Sequence, residues 1–65
     1  MIKKISDMDK AELIAHLKAS GEIHRADKES KAWRRAFELY RQQQGGYADM
    51  DCSTCWHKVT EWIKR

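Results

Sequence analysis

At 65 residues the chain has room for one small domain, and a domain of this size buries only about 60% of the surface its unfolded chain exposes. A hydrophobic share of 42% beside a charged share of 35% describes a folded, water-exposed protein, and two cysteines are too few for a secreted disulfide scaffold, which points to a reducing cytoplasm. The net charge of +3 permits an anionic partner without demanding one, no run approaches the roughly 20 apolar residues of a membrane span, and no motif argues for an enzyme.

The opening Met1-Ile2-Lys3-Lys4-Ile5 carries lysines with no apolar run behind them, so it does not read as a signal peptide. The first helix signal begins at Asp9. Its carboxylate can accept from the free N–H groups of a first turn, and Glu12, three residues on, can reciprocate. Met8 and Leu13 are placed to pack across that cap, and Gly21 is a natural stop, which predicts a helix over about 10–20. Its apolar face of Leu13, Ile14 and Leu17 is narrow and needs a larger element to cover it.

Trp33, Ala36, Phe37 and Tyr40 then fall at i, i+3, i+4 and i+7, with Ala32 and Leu39 widening the stripe to roughly 160° of a helix circumference. This predicts a second helix over about 27–44, capped by Asp27 or Ser30 and ended by Gly45-Gly46. Ile23 and Ala26 continue the stripe backwards. Lys28, Lys31, Arg34, Arg35 and Arg41 occupy the opposite face, interrupted by Asp27 and Glu38.

After a short reversing connector, Cys52, Cys55, Trp56, Val59, Trp62 and Ile63 sit at i, i+3, i+4, i+7, i+10 and i+11. The third predicted helix covers about 52–64, with Asp51 or Asp49 as its cap and Met50 stapling onto Cys55. No stretch alternates with period two, so the expected fold is all-α, a compact three-helix bundle in one small domain, residues 1–65. The third helix, with the most regular stripe, is expected to be the keystone of the core.

The chemistry-bearing candidate is Cys52-Ser53-Thr54-Cys55 followed by His57. Free cysteine is among the most buried residue types, and both thiols continue an apolar stripe, so the simplest reading is a pair of buried, reduced, metal-free core thiols. Zinc needs four ligands, usually from two short pairs, and only one pair exists here. His57 falls on another face, which leaves His16 and His24 to complete a set with Cys52 and Cys55, His24 being favoured because it lies in a loop. A thiol switch is the redox alternative, since a helix N-terminus favours thiolate, but the βαβ context of a thioredoxin-type site is missing.

The basic face offers Lys28, Lys31, Arg34 and Arg35, with Lys58 from the third helix, as contacts for an anionic partner. Nucleic acid is one such partner. Against it, no aromatic is interleaved with the cations as a stacking platform, and the connection from Ser20 to Asp27 is longer than a helix-turn-helix turn. Three tryptophans are many for a bundle this thin. Trp62, near the C-terminal end, is expected to be partly exposed and to mark a protein or homodimer contact.

The run Lys31-Ala32-Trp33-Arg34-Arg35-Ala36-Phe37-Glu38-Leu39-Tyr40, then Cys52-Ser53-Thr54-Cys55, Lys58-Val59 and Trp62-Ile63, resembles small accessory proteins of tailed bacteriophages. The likeness covers roughly residues 31–63 and implies a compact, non-enzymatic factor, cytoplasmic in a bacterial host, that binds and regulates or inhibits a host or phage protein. It implies no activity for any individual residue.

Overall fold

The computed structural model describes residues 4–25 and 27–65; Met1, Ile2, Lys3 and Ala26, and so the backward extension of the second helix through Ala26, lie outside them. Three α-helices are joined by short turns, and no strand occurs among the described residues. The fold is the expected all-α three-helix bundle. Its radius of gyration, 10.9 Å, is close to the roughly 11 Å of a compact chain of this length.

Helix α1, Lys10–Ser20, forms where the spacing predicts. Asp9 accepts from the Glu12 N–H at 2.8 Å, Glu12 accepts from the Asp9 N–H at 3.4 Å, and Gly21 closes the helix in the left-handed conformation. A 3₁₀ turn at Ile5–Asp7 precedes it and a second, Glu22–His24, follows it. Leu13 and Leu17 are fully buried, with Met8 packed partly against the same core.

Helix α2 spans Lys31–Gln44, four residues shorter at its start than the predicted 27–44. Asp27 spends its capping capacity elsewhere: its carboxylate accepts the Glu29 N–H at 2.9 Å and its carbonyl the Ser30 N–H at 3.2 Å. That is a turn, not a first helical turn. Ser30 therefore caps α2, its hydroxyl accepting from the Trp33 N–H and donating to Glu22 at 3.0 Å. The turn between α1 and α2 is fastened again by the Trp33 indole N–H, which donates to the Glu22 carbonyl at 2.9 Å.

At the other end Gly45 (φ +66) reverses the chain, and Arg41 reaches across to donate to the Ala48 carbonyl at 2.8 Å. The two adjacent glycines differ in what they tolerate. Gly45→Ala is expected to cost about 1 kcal/mol, because only glycine takes positive φ cheaply. Gly46 meets nothing where a Cβ would stand and has no positive φ, so Gly46→Ala should be neutral or stabilise slightly. Paired urea melts of the two variants measure the difference.

Helix α3, Ser53–Lys64, starts one residue late and without the predicted aspartate cap. Asp49 instead builds a turn, accepting the Asp51 N–H on its carboxylate at 3.0 Å and the Cys52 N–H on its carbonyl at 3.1 Å. Asp51 points away to Lys28, 3.1 Å distant, and Cys52 is left in the N-cap position. Met50 supplies a carbonyl to the Trp56 indole N–H.

The keystone is α2, not α3. It buries Ala32, Trp33, Ala36, Phe37 and Leu39 and packs against both other helices and the Ile5 turn. Aromatic edges set the α2–α3 contact: Trp56 meets Phe37 with centroids 4.7 Å apart and Trp33 at 5.4 Å, both edge-on. Val59 and Ile63 complete the floor of the core at 0% exposure.

Candidate binding groove

The residues singled out as contacts do not form one surface. Lys31, Arg34 and Arg35 project from α2 toward the Ile5 turn, where with Lys4, Ile5 and Ser6 they line an open groove of about 470 Å³. Ile5 is the one apolar residue of that lining, and it packs partly against the core. Lys58 and Trp62 lie at a separate cleft of about 140 Å³, beside Tyr40 and Arg65, which shares no lining residue with the first.

Within the α2 cluster the cations have different duties. Arg35 is largely covered, its side chain 14% exposed; its Nε donates to the Met8 carbonyl at 2.9 Å and its guanidinium pairs with Glu38 at 2.8 Å. It holds the segment before α1 onto α2. Lys28 pairs with Asp51 in the open, where such a pair adds little stability. Arg34 donates from Nε to the Lys28 carbonyl at 3.3 Å, and its terminal nitrogens form no ion pair among the described residues. Lys4 and Lys31 have exposed side chains with no ion pair or hydrogen bond among the described residues. With Arg35 and Glu38 cancelling, the groove presents three cations without an ion pair among the described residues, Lys4, Lys31 and Arg34, around the apolar side chain of Ile5.

Trp62 corrects its prediction. It is only 8% exposed, because the Tyr40 ring meets it edge-on at 5.5 Å and the Lys10 ammonium sits 4.5 Å over its face. The C-terminal turn is held by the Arg65 N–H on the Trp62 carbonyl at 3.3 Å. Trp56 is the tryptophan left half-buried. The exposed aromatic is Tyr47, 77% exposed in the connector between α2 and α3, a residue the helical stripes could not flag. Its hydroxyl donates to Asp49 at 3.0 Å, which holds the phenol above its ordinary pKa; the Asp51 N–H, and then Tyr47, hold the Asp49 carboxyl below its own.

Cys55 is buried, as its stripe requires, but Cys52 is half-exposed, so the expectation that both thiols are core residues holds for one of them. Cys52 falls outside because it is the last residue before the helix and its backbone is extended. His24 stands exposed on the turn after α1, and His57 faces Glu61 at 3.2 Å. Among the described residues no three side chains of His, Cys, Asp or Glu come together as a metal set. No helix among them is long and apolar enough to cross a membrane.

Lys4 and Ile5 were missed from sequence. The available signal was an apolar residue two places before the Asp7–Asp9 run, flanked by a cation, too short for any periodicity to register. Compared with family models, curated proteins and solved structures, the chain finds no match.

Proposed function

We propose that the protein acts by binding rather than by chemistry, docking an acidic, partly apolar segment of a protein partner in the groove between the Ile5 turn and α2, and so regulating or inhibiting that partner. One observation carries the reading: three cations without an ion pair among the described residues, Lys4, Lys31 and Arg34, surround the apolar side chain of Ile5. A segment alternating carboxylates with apolar side chains complements both features at once. The resemblance of residues 31–63 to tailed-phage accessory proteins supports a host or phage protein as the partner, in the cytoplasm of a bacterial host. No catalytic group is required.

Nucleic acid is the competing occupant. It would draw on Lys28, Lys31, Arg34, Arg35 and Lys58 together, yet Lys28 and Arg35 are paired with carboxylates and Lys58 lies at the other cleft. The test compares wild-type protein with the Lys31→Glu/Arg34→Glu variant as bait in a bacterial lysate, with and without nuclease. The expected result is a captured protein that nuclease does not release, that the double variant loses by at least tenfold, and that a synthetic Glu-rich amphipathic peptide displaces. Capture abolished by nuclease, with affinity for a plain oligonucleotide falling steeply between low and moderate salt, would transfer the groove to nucleic acid. Equal capture by the variant would remove the groove from the function altogether.

A further inference from the structure

Helix α3 opens on two thiols of unequal exposure. Cys52 is the N-cap, half-exposed, with φ −104° and ψ 116°; Cys55, the third helical residue, is 6% exposed. An N-cap side chain lies over the amide of the residue three positions on. An N-cap residue and its third follower stand within the Cα separation of about 4.4–6.8 Å that a disulfide bridges. Here Cys52 is the N-cap and Cys55 the third residue of the helix, which puts the two at that separation along the first turn of α3.

Packing accounts for Cys55 fully and for Cys52 in part. Helices α1 and α2 are capped by the oxygens of Asp9 and Ser30, as N-termini prefer, whereas Cys52 forms no side-chain cap hydrogen bond. A sulfur occupies the one cap where an oxygen would hold the helix better. It packs against the edge of the core while staying half-exposed.

We propose that Cys52 and Cys55 form a reversible intramolecular disulfide by exchange with a low-molecular-weight disulfide such as glutathione disulfide, Cys52 attacking and Cys55 resolving. The Cys52 thiolate attacks one glutathione sulfur, the glutathione S–S bond breaks, and one glutathione thiolate leaves. Cys55, losing its proton to water, then attacks the Cys52 sulfur and expels the second glutathione thiolate. Two protein thiols are oxidised to one disulfide, and one glutathione disulfide is reduced to two thiols that take up the two protons. The order follows from access: only Cys52 can meet a dissolved disulfide, and only Cys55 stands beside it. The start of α3 assists, because the Cys55 N–H, and then the Cys55 thiol, hold the Cys52 thiol below its ordinary pKa, with Asp49 opposing. The proposal is independent of the groove.

The test uses the whole chain at neutral pH in glutathione buffers of graded ratio, acid-quenched and read by intact mass. The expected product is a monomer lighter by two hydrogens, with a midpoint inside the buffer range. Brief iodoacetamide treatment of the reduced protein should label Cys52 on the order of tenfold faster than Cys55. Cys55→Ala should keep the fast label and stop at one bound glutathione, while Cys52→Ser should lose both the fast label and the disulfide. Serine is a preferred cap, so Cys52→Ser stays folded, which circular dichroism verifies. If Cys55→Ala fails to fold, the labelling ratio and the wild-type mass decide. Equal or reversed labelling rates, only intermolecular dimers, or no disulfide in the most oxidising buffer would overturn the proposal.

Discussion

Replacing Trp33 with alanine is expected to leave the domain largely unfolded in water at room temperature. Trp33 is 1% exposed, so the change removes nearly the whole indole from the centre of the core, a loss of about 3–5 kcal/mol for Trp→Ala at buried sites. A domain this small holds only about 3–5 kcal/mol from its core, with no disulfide present to add to it. The indole also does two other things. Its N–H satisfies the Glu22 carbonyl, fixing the turn from α1 to α2, and its edge supports Trp56 of α3 at 5.4 Å. Alanine therefore loosens all three helices together. Trp33→Phe keeps most of the ring contact and loses the hydrogen bond and some volume, for a cost of about 1–2 kcal/mol. Tyr47→Ala, at the most exposed aromatic, should stay within about 0.5 kcal/mol of wild type. Urea melts followed by far-ultraviolet circular dichroism separate the three. A cooperative Trp33→Ala transition within about 1 kcal/mol of wild type would mean that this ring is not the centre of the core.

What the sequence discloses here follows the physical range of each signal. The cap at Asp9, the stop at Gly21 and the stripe through Trp33, Ala36 and Phe37 are local and repeated, and each lies where it was expected. Competition among neighbouring caps is not legible in the same way. Asp27 and Ser30 are equally good caps on paper, and only the turn that consumes the Asp27 carboxylate decides for Ser30. The same contest among Asp49, Asp51 and Cys52 ends with both aspartates engaged elsewhere, which leaves a half-exposed thiol at the start of α3. Helical phase placed Cys52 on the apolar stripe because phase assumes helical backbone, and the residue before a helix does not have it. Trp62 escaped for another reason. Its cover comes from Lys10 and Tyr40, residues 52 and 22 positions away, and no local pattern encodes that meeting. The groove was half legible: α2 announced its cations, while the opposite wall at Lys4 and Ile5 is too short to carry a period.

Arg35 gives the second large effect and shows which member of the basic cluster belongs to the fold. Arg35→Ala is expected to cost about 1.5–2 kcal/mol. The charged hydrogen bond from Nε to the Met8 carbonyl, at 2.9 Å and partly buried, supplies most of it. The pair with Glu38 adds less, because that carboxylate is 49% exposed and solvent screens it. Arg35→Lys should recover less than half, since an ammonium cannot hold the Met8 carbonyl and the Glu38 carboxylate with one planar fork. Lys31→Ala should be silent in the same melt, within about 0.5 kcal/mol. Binding should divide the other way. Corrected for the folded fraction, Arg35→Ala should lose only part of the capture, through the loosened Lys4–Ile5 wall, while Lys31→Glu/Arg34→Glu, melting normally, should lose it by at least tenfold. If instead Arg35→Ala abolishes capture by fully folded protein, the hold of Arg35 on the Met8 carbonyl is what shapes the groove. The wall formed by Lys4 and Ile5 would then be the part of the groove on which binding depends.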